Sequence, residues 1–348
     1  MVWAGVAAAT LALLAVKTPR EAFKETLQGL RWGWAGWALG IYVVAQALLA
    51  ARWVLLLEVQ GVRINLFQAV RLTYLGLFYN NMMPGSVGGD LLKAWYVTRH
   101  SERGRRVEAA VTVLVDRLVG LGGMMLVAAG ASVFVGSGIA YRGVQLRWVV
   151  WGMGLAMAAG AVVVVSRRVR RVLLVSAVMK RLPFAQTLYK ADAAIQLYRR
   201  SGWTMVWSLV LTVVIQGTAL VAVWMLTQSL GLAQVRLVQC VTLMPVIWVM
   251  GAAIPVPGGL GVVEGAITYL FCLVINPAAP GSAAAQAAAA ALALLNRMMI
   301  CLSSLPGALV PIFGGHLPKR EEMQAELEQE GAGGGVGPDG AGEKPGQG

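Results

Sequence analysis

Two glycine- and proline-rich motifs stand out in this sequence because each joins a turn to a carboxylate. The first, residues 80–90, reads NNMMPGSVGGD, and the second, residues 255–264, reads PVPGGLGVVE. Their last residues are Asp90 and Glu264. Glycine carries no Cβ, so successive backbone N–H groups in such turns can approach an anion closely. The two motifs therefore predict turns that bind an anionic group.

An arginine follows each motif, inside the next apolar segment. It occurs in the pairs Asp116-Arg117 and Asn296-Arg297. A guanidinium binds a phosphate through two parallel hydrogen bonds, and an ionisable residue at membrane depth is a functional hypothesis by default. A helix that starts after either turn would add the positive end of its dipole. This chemistry suits an anionic lipid headgroup.

The candidate substrate-binding set combines the turn residues, the carboxylates and the two arginines. It comprises Asn80, Pro84, Gly85, Gly88, Gly89, Asp90, Asp116, Arg117, Pro257, Gly258, Gly259, Gly261, Glu264 and Arg297. Two alternatives remain open for this set: the turns could be helix breaks without a ligand, and the arginines could form structural ion pairs with the carboxylates. The carboxylates could orient an arginine, bind an ammonium headgroup or carry a proton.

The sequence offers no constellation for catalysis, a metal or a cofactor. A Ser–His–Asp set and the zinc motif HExxH are missing, and residues 85–89 lack the Lys-Ser/Thr of a phosphate loop. The two histidines, His100 and His316, lie in polar stretches, and the three cysteines have no metal-binding spacing. We therefore expect no catalytic residues, no metal, no cofactor and no enzyme activity.

The composition places these motifs in a membrane. Of 348 residues, 58% are hydrophobic and only 13% are charged, whereas soluble chains are about 25% charged. The net charge of +13 would suit either nucleic acid or a membrane surface. Because the largest basic cluster lies between two apolar runs, nucleic acid is not expected as a partner.

Apolar runs of about 20 residues predict spanning helices. Six such runs occur, at residues 1–16, 32–57, 108–135, 147–165, 203–226 and 283–313. Two further apolar stretches, 66–84 and 240–275, are interrupted by Gly and Pro and predict re-entrant, broken helices, which are tolerated at membrane depth only inside protein or beside a cavity. The small residues at 283–293 allow close helix packing. The fold class is an all-α polytopic membrane protein with about 6–8 transmembrane helices.

Several smaller features predict how the chain meets the membrane surface. Residues 17–31 alternate apolar and charged side chains at helical spacing, which predicts a short interfacial helix. Anchoring at the interface is also expected for three tryptophans and three arginines. They are Trp32, Trp34, Trp37, Arg52, Arg63 and Arg71.

The distribution of basic residues predicts the topology. The loop at 166–202 holds nine Lys and Arg residues and is expected to be cytoplasmic. Counting spans back from it puts residues 93–106, with five basic residues, on the same side. Counting forward leaves the C-terminus cytoplasmic. The count also puts residues 17–31 outside despite four basic residues, which is its weakest point.

The two motifs predict an inverted repeat. Pro84-Gly85-x-x-Gly88 aligns with Pro257-Gly258-x-x-Gly261 at an offset of 173 residues. By the topology count, the two broken segments enter the membrane from opposite sides, as in secondary transporters. We therefore predict a transmembrane domain at 1–316, with halves at about 1–140 and 147–316, and a disordered acidic, Gly-rich tail at 317–348.

The ordered set of motifs resembles a known family. The motifs are Asn80-x-x-x-Pro84-Gly85-x-x-Gly88-Gly89-Asp90, Asp116-Arg117-x-x-Gly120, Pro255-x-Pro257-Gly258-Gly259-x-Gly261-x-x-Glu264 and Asn296-Arg297. Together they resemble the flippase-like transmembrane domain of lysylphosphatidylglycerol synthases, over about residues 5–315. Position 116 is Asp where this family often has Glu, which keeps the charge. Full-length synthases carry a soluble aminoacyl-transferase domain after this region. Since an acidic, Gly-rich tail stands there instead, transferase activity is not expected.

The resemblance implies a multi-pass protein of a bacterial or archaeal cytoplasmic membrane that moves a lipid between leaflets. The predicted cargo is a phospholipid or polyprenyl-type lipid with an anionic headgroup. The alternative is a non-transporting accessory or scaffold protein for a lipid- or glycan-modifying enzyme. Membrane lipids are the expected partners, while a second copy of the chain or such an enzyme remains open.

Overall fold

The computed structural model describes residues 20–82, 89, 92–93, 106–134, 140–141, 144–145, 148, 151–152, 154–156, 158–160, 195–198, 200–253 and 259–314. The predicted span at 1–16, most of the span at 147–165, most of the loop at 166–202 and the tail at 317–348 lie outside these residues. So do the site candidates Pro84, Gly85, Gly88, Asp90, Pro257 and Gly258.

The described part is almost entirely helical, which confirms the all-α polytopic class. Its helices are α1 (Arg20–Gln28), α2 (Trp32–Val59), α3 (Leu66–Met82), α4 (Arg106–Phe134), α5 (Gly202–Ser229), α6 (Leu237–Ala253), α7 (Val262–Ile275), α8 (Ala283–Ser304) and α9 (Pro306–Gly314). A two-residue antiparallel pair, β1 (Ala140–Tyr141) with β2 (Val144–Gln145), joins them and was not expected. By compactness the chain divides into Met1–Ala308 and Leu309–Gly348.

Four helices of the described part are long and apolar enough to cross a membrane. They are Trp32–Val59, Val111–Gly130, Gly202–Ser229 and Ala283–Val310. Helices α6 and α7 are apolar but shorter, with 17 and 14 residues. The interruption expected within residues 240–275 is thus confirmed, because the apolar stretch forms two helices rather than one.

Helices α2 and α5 pack side by side in opposite directions. At one end, the N–H of Arg31 donates to the carbonyl of Ser229. At the other, Arg52 contacts Thr212. Helix α4 runs antiparallel to α2, since Thr112 and the carbonyl of Leu56 share Tyr198 as a partner while Asp116 contacts Arg52. These relative directions agree with the alternation of spans in the topology count.

Each of the two broken segments forms a helical hairpin. In the first, α3 is followed by a returning segment whose described residues, 89 and 92–93, are helical, with Gly89 and Lys93 both beside Gly76. In the second, α6 is followed by α7, and Gly251 packs against Gly259 and Val263. The first hairpin follows α2 and the second follows α5. Because α2 and α5 are antiparallel, the hairpins begin at opposite ends of this helix pair.

The connections that lead into the two hairpins begin with the same turn. Helix α2 ends with Gly61 at φ 71° and α5 with Gly231 at φ 72°, a left-handed conformation that glycine adopts without strain. Each glycine N–H donates to a carbonyl three residues earlier, and the next N–H donates to a carbonyl five residues earlier. These are the two hydrogen bonds of a Schellman motif.

The helices on either side of these connections also match. Helices α2 and α5 both have 28 residues, and α3 and α6 both have 17. A glutamine in the first turn of α3 and of α6, Gln68 or Gln239, accepts a hydrogen bond from the N–H three residues earlier. This repeated helix–connection–helix unit supports the predicted repeat with a signal that the Pro/Gly motifs alone did not contain.

Helix α8 and helix α1 complete the core. Residues 287–293 of α8 are buried, as the small-residue stretch predicts. Helix α1 confirms the helix expected within 17–31, but its apolar side chains Phe23 and Leu27 pack against the protein core together with Leu30. The amphipathic pattern predicted a helix lying in the membrane interface, and in the structure its apolar face packs against α8.

Candidate functional site

The candidate site is an ion pair at the first turn of α7. Glu264 accepts a hydrogen bond from Nε of Arg297, at 2.5 Å, through Oε1. Its other oxygen, Oε2, accepts the N–H of Gly261 at 2.6 Å. Gly261 has φ 81°, so a glycine is required where the chain turns into the helix. One carboxylate therefore caps the helix and holds the arginine.

The ion pair lies deep in the protein, and its arginine is far from both ends of its helix. The side chain of Glu264 is 4% exposed and that of Arg297 is 12% exposed. Arg297 lies about 21 Å along the 28-residue span Ala283–Val310, close to its middle. Helix α7 is about 21 Å long, less than the roughly 30 Å of a hydrocarbon core. It is therefore a half-helix whose N-terminus lies at the depth of the ion pair.

A third helix contributes polar groups to this region. Tyr42 of α2 bonds to Gln46 and lies within electrostatic range of Arg297. Gln46 is 7% exposed, and Asn296, beside the arginine in sequence, is 2% exposed. A guanidinium at the positive end of a half-helix favours an anionic partner. Glu264 supplies one, and a phosphate could compete for the same guanidinium.

The described part of the first motif is a capped, tightly packed hairpin. Asn80 accepts the N–H of Gly89 at 2.8 Å, and so stabilises the returning chain much as Glu264 does in the second hairpin. A Cβ on Gly89 would lie 1.9 Å from the carbonyl oxygen of Gly76, so only glycine fits. Asn81 donates to Ser304 at 3.1 Å and ties this hairpin to the end of α8.

Asp116 belongs to a different ion pair. Its carboxylate oxygen lies 2.9 Å from Nη2 and 3.0 Å from Nε of Arg52. Nη2 also lies 3.2 Å from the Asp116 carbonyl, and Nη1 donates to Thr212 at 2.8 Å. Interface anchoring of Arg52 is therefore wrong, because the residue is 3% exposed and links α2, α4 and α5. Arginine and aspartate inside separate apolar runs were the available signal for this pair.

The two ion pairs occupy different levels of the protein. Tyr42 and Arg52 are ten residues apart on α2, or about 15 Å along its axis. Arg117, predicted to act with Arg297, is exposed. The structure thus joins Gly261, Glu264 and Arg297 in one cluster, while Asp116 serves Arg52. Near the pair of Arg52 and Asp116, burial raises the pKa of Tyr198 to about 12, so this phenol stays neutral at physiological pH.

Lys93 was counted among the basic residues of a cytoplasmic loop, but the structure buries it. The residue is 7% exposed, and Nζ lies 5.3 Å from the centroid of the Trp53 ring. The sequence did not predict this burial, because Lys93 begins a stretch of basic residues that is typical of a cytoplasmic loop. Its position directly after an apolar pair, Leu91-Leu92, was the available hint.

The comparisons with known proteins agree with the motifs. The model of one family, described as "Lysylphosphatidylglycerol synthase TM region", matches residues 2–295. This range includes both hairpins and Glu264, and ends two residues before Arg297. No curated protein matches the chain.

Proposed function

The chain belongs to the lysylphosphatidylglycerol synthase TM region family, and from this premise we propose that it moves a lipid between membrane leaflets. The cargo is a phospholipid or polyprenyl-type lipid. Its anionic headgroup contacts Arg297 and the backbone amides of the turn before α7. The same chemistry on the first hairpin involves Asn80 and Gly89 with the remaining turn residues of that motif.

One observation carries this proposal, the ion pair of Glu264 and Arg297 at the start of a half-helix. Discontinuous helices whose N-termini point at an anionic group near the membrane midplane are typical of transporter sites between inverted repeats. The opposed entry of the two hairpins supports the same interpretation. A broken helix buried only for structural reasons would not need a charged pair at its tip, since a buried charge is costly.

The proposed setting is the cytoplasmic membrane of a bacterium or archaeon. The basic loop at 166–202 and the C-terminus face the cytoplasm, following the positive-inside rule. The antiparallel packing of α2 with α4 and with α5 supports this count, because it requires these spans to alternate in the same order. Under this topology the second hairpin enters from the outer side.

A leaflet-resolved assay in proteoliposomes tests the proposal. The purified chain is reconstituted with fluorescent phosphatidylglycerol, phosphatidylcholine or a polyprenyl phosphate, and lipid in the outer leaflet is bleached over time. We expect the wild-type protein to accelerate exchange of at least one anionic lipid. Arg297→Gln should slow it about tenfold or more. Arg236→Gln changes an exposed arginine before α6 and is the matched control.

One outcome of this assay would contradict lipid transport. If folded wild-type protein leaves the exchange of every lipid at the rate of empty vesicles, lipid transport is wrong for this chain. An accessory role beside a lipid- or glycan-modifying enzyme would then be favoured, and co-purification of such an enzyme would test it.

A further inference from the structure

Helices α2 and α5 each carry a glutamine near the middle of the span. Gln46 and Gln216 are each the fifteenth residue of a 28-residue helix. They are 170 residues apart, as are Gly61 and Gly231 at the ends of the helices, so they occupy equivalent positions in the two repeated units. Each amide lies about 21 Å along its helix, as far as Arg297 lies along its own span.

The two glutamines also lie at the same level of this helix pair. Helices α2 and α5 are antiparallel, with the N–H of Arg31 bonded to Ser229 and the guanidinium of Arg52 bonded to Thr212. Interpolation between these two contacts puts the glutamines opposite each other, to within about one turn. Equivalent positions of two inverted units meet in this way where the twofold axis crosses the pair. The glutamines therefore mark the centre of the internal symmetry.

The two amides differ in their partners. Gln46 is 7% exposed and is hydrogen-bonded to Tyr42, one turn earlier on α2. The residue of α5 equivalent to Tyr42 is Thr212, whose hydroxyl accepts Nη1 of Arg52 and donates to a carbonyl of its own helix. The amide of Gln216 has no hydrogen-bond partner among the described residues. Because an unpaired amide at membrane depth is costly, this one requires an explanation.

Gln216 lies on the inner face of α5 and is still partly exposed. On the same face, one turn before and one turn after it, Thr212, Ala219 and Leu220 are buried. Val214, on the outer face of the helix, is 47% exposed. A partly exposed amide between buried residues indicates a space beside it inside the protein. Water or a polar ligand in that space would satisfy the amide.

The chemistry of a primary amide suits a polar lipid headgroup. The side chain has two donors and one acceptor oxygen. It can donate to the oxygens of a phosphate and accept from a hydroxyl, and the headgroup of phosphatidylglycerol contains both. Because it carries no charge, it binds a phosphate less tightly than an arginine does, and so can release it.

We propose that Gln216 binds the lipid headgroup halfway between the leaflets, at the level where the two halves meet. This role rests on the proposed function and adds a contact to that of Arg297. The equivalent Gln46 instead holds Tyr42 within electrostatic range of Arg297. The same position of the repeat thus binds the headgroup in one half and positions a neighbour in the other.

Lipid exchange and stability, measured together, test the role of Gln216. Gln216→Leu removes the amide at similar volume, so exchange of phosphatidylglycerol in proteoliposomes should fall about tenfold. The unfolding temperature in detergent should stay the same or rise, because a polar group without a partner is lost. Gln46→Leu is the matched comparison, since it deprives Tyr42 of its partner and should lower the unfolding temperature.

Cysteine labelling tests the space beside Gln216 without transport. Gln216→Cys and Val214→Cys are reconstituted separately in phosphatidylcholine vesicles and treated with a water-soluble methanethiosulfonate. Peptide mass spectrometry locates the label, so the native cysteines remain. Gln216→Cys should react about tenfold faster than Val214→Cys, because the reactive thiolate forms in water and not in hydrocarbon. Phosphatidylglycerol added to the vesicles should slow this labelling, whereas diacylglycerol, which lacks the phosphate, should not.

The outcomes separate the role of Gln216 from the proposed function. If folded Gln216→Leu exchanges lipid at the wild-type rate while Arg297→Gln is slow, binding at Gln216 is wrong and transport stands. Equally slow labelling of both cysteine variants would overturn the space, and labelling that phosphatidylglycerol does not slow would overturn the lipid as ligand. Labelling at residue 216 that phosphatidylglycerol slows, in a protein that does not exchange lipids, would support the binding and count only against transport.

Discussion

Within the described residues, two arginine–carboxylate pairs in the protein interior differ in how the chain holds them. Arg52 and Asp116 lie on long continuous helices, and each nitrogen of the guanidinium has a partner in α4 or α5. Glu264 instead lies in the first turn of a half-helix, after a glycine with positive φ. The same two functional groups thus link three spans in one place and cap a broken helix in the other.

This difference separates stability from function. A pair that is bound on all sides by continuous helices cannot exchange a partner without moving them. A pair at the tip of a short hairpin can, because only one turn of helix positions the carboxylate. We therefore expect changes at Arg52 to act mainly on folding, and changes at Glu264 to act mainly on lipid movement.

The largest loss of stability is expected when the pair of Arg52 and Asp116 is broken. Arg52→Met leaves Asp116, whose side chain is only 14% exposed, without its cation, which costs about 3–5 kcal/mol of stability. Thermal unfolding in detergent measures the loss. The double variant Arg52→Met with Asp116→Leu should recover part of it, since no charge remains uncompensated. A single variant as stable as the wild type would show that the pair does not link the spans.

Glu264→Gln should break the pair of Glu264 and Arg297. We expect a smaller loss of stability than for Arg52→Met and a clear loss of transport. The amide oxygen still accepts the N–H of Gly261, so the cap survives while the negative charge disappears. Lipid exchange should fall about tenfold, which is roughly 1.4 kcal/mol in the barrier. Arg52→Met, where it folds, provides the comparison. If it slows exchange per folded molecule as much as Glu264→Gln does, the division between the two pairs is wrong.

Gly261→Ala tests whether the turn into α7 positions the carboxylate. Alanine at φ 81° is strained, at a cost of about 1–2 kcal/mol. Gly122→Ala in α4 is the control of opposite sign, because its Cβ would meet nothing within 4 Å. Replacing that helical glycine should stabilise the protein by about 0.5–1 kcal/mol. The unfolding temperature should fall for Gly261→Ala and rise for Gly122→Ala. Equal shifts in the two variants would contradict the requirement for glycine at position 261.

The smallest effect is expected at the hydrogen bond that ties the first hairpin to α8. Asn81→Ala or Ser304→Ala should cost about 1 kcal/mol. Ser304 lies two turns after Arg297 on the same face of α8, so the bond connects the first hairpin to the helix that carries the second pair. A double-mutant cycle on unfolding temperature measures the coupling. Fully additive losses would show that the two side chains do not interact.

The sequence predicted the pair of Glu264 and Arg297 better than the pair of Arg52 and Asp116. Glu264 ends a motif whose glycines and prolines predict a helix break, and Arg297 was identified as an arginine inside the next apolar segment. A structural arginine–carboxylate pair was one of the alternatives left open. Arg52 has no such motif, and its partner is 64 residues away. Hydropathy measures how apolar a window is, but not which face of the helix meets another helix.

Two further features could not be predicted from the sequence, for similar reasons. The charged, amphipathic residues around Phe23 and Leu27 are equally compatible with a lipid surface and with a protein surface, and the structure selects the protein. The matched connections at Gly61 and Gly231 share few residue types besides the glycine and a following Leu-x-Gln. Backbone dihedrals reveal their likeness because many side chains can adopt the same turn.

These matched connections have a consequence for the origin of the chain. Two units with the same helix lengths and the same C-terminal turn, placed in opposite directions, would result if one half-length gene had been duplicated and fused. A protein encoded by that half would have had to insert in the membrane both ways up in order to pair with itself. Fusion of the two copies fixes one orientation for each, so later substitutions could give each half its own buried charge.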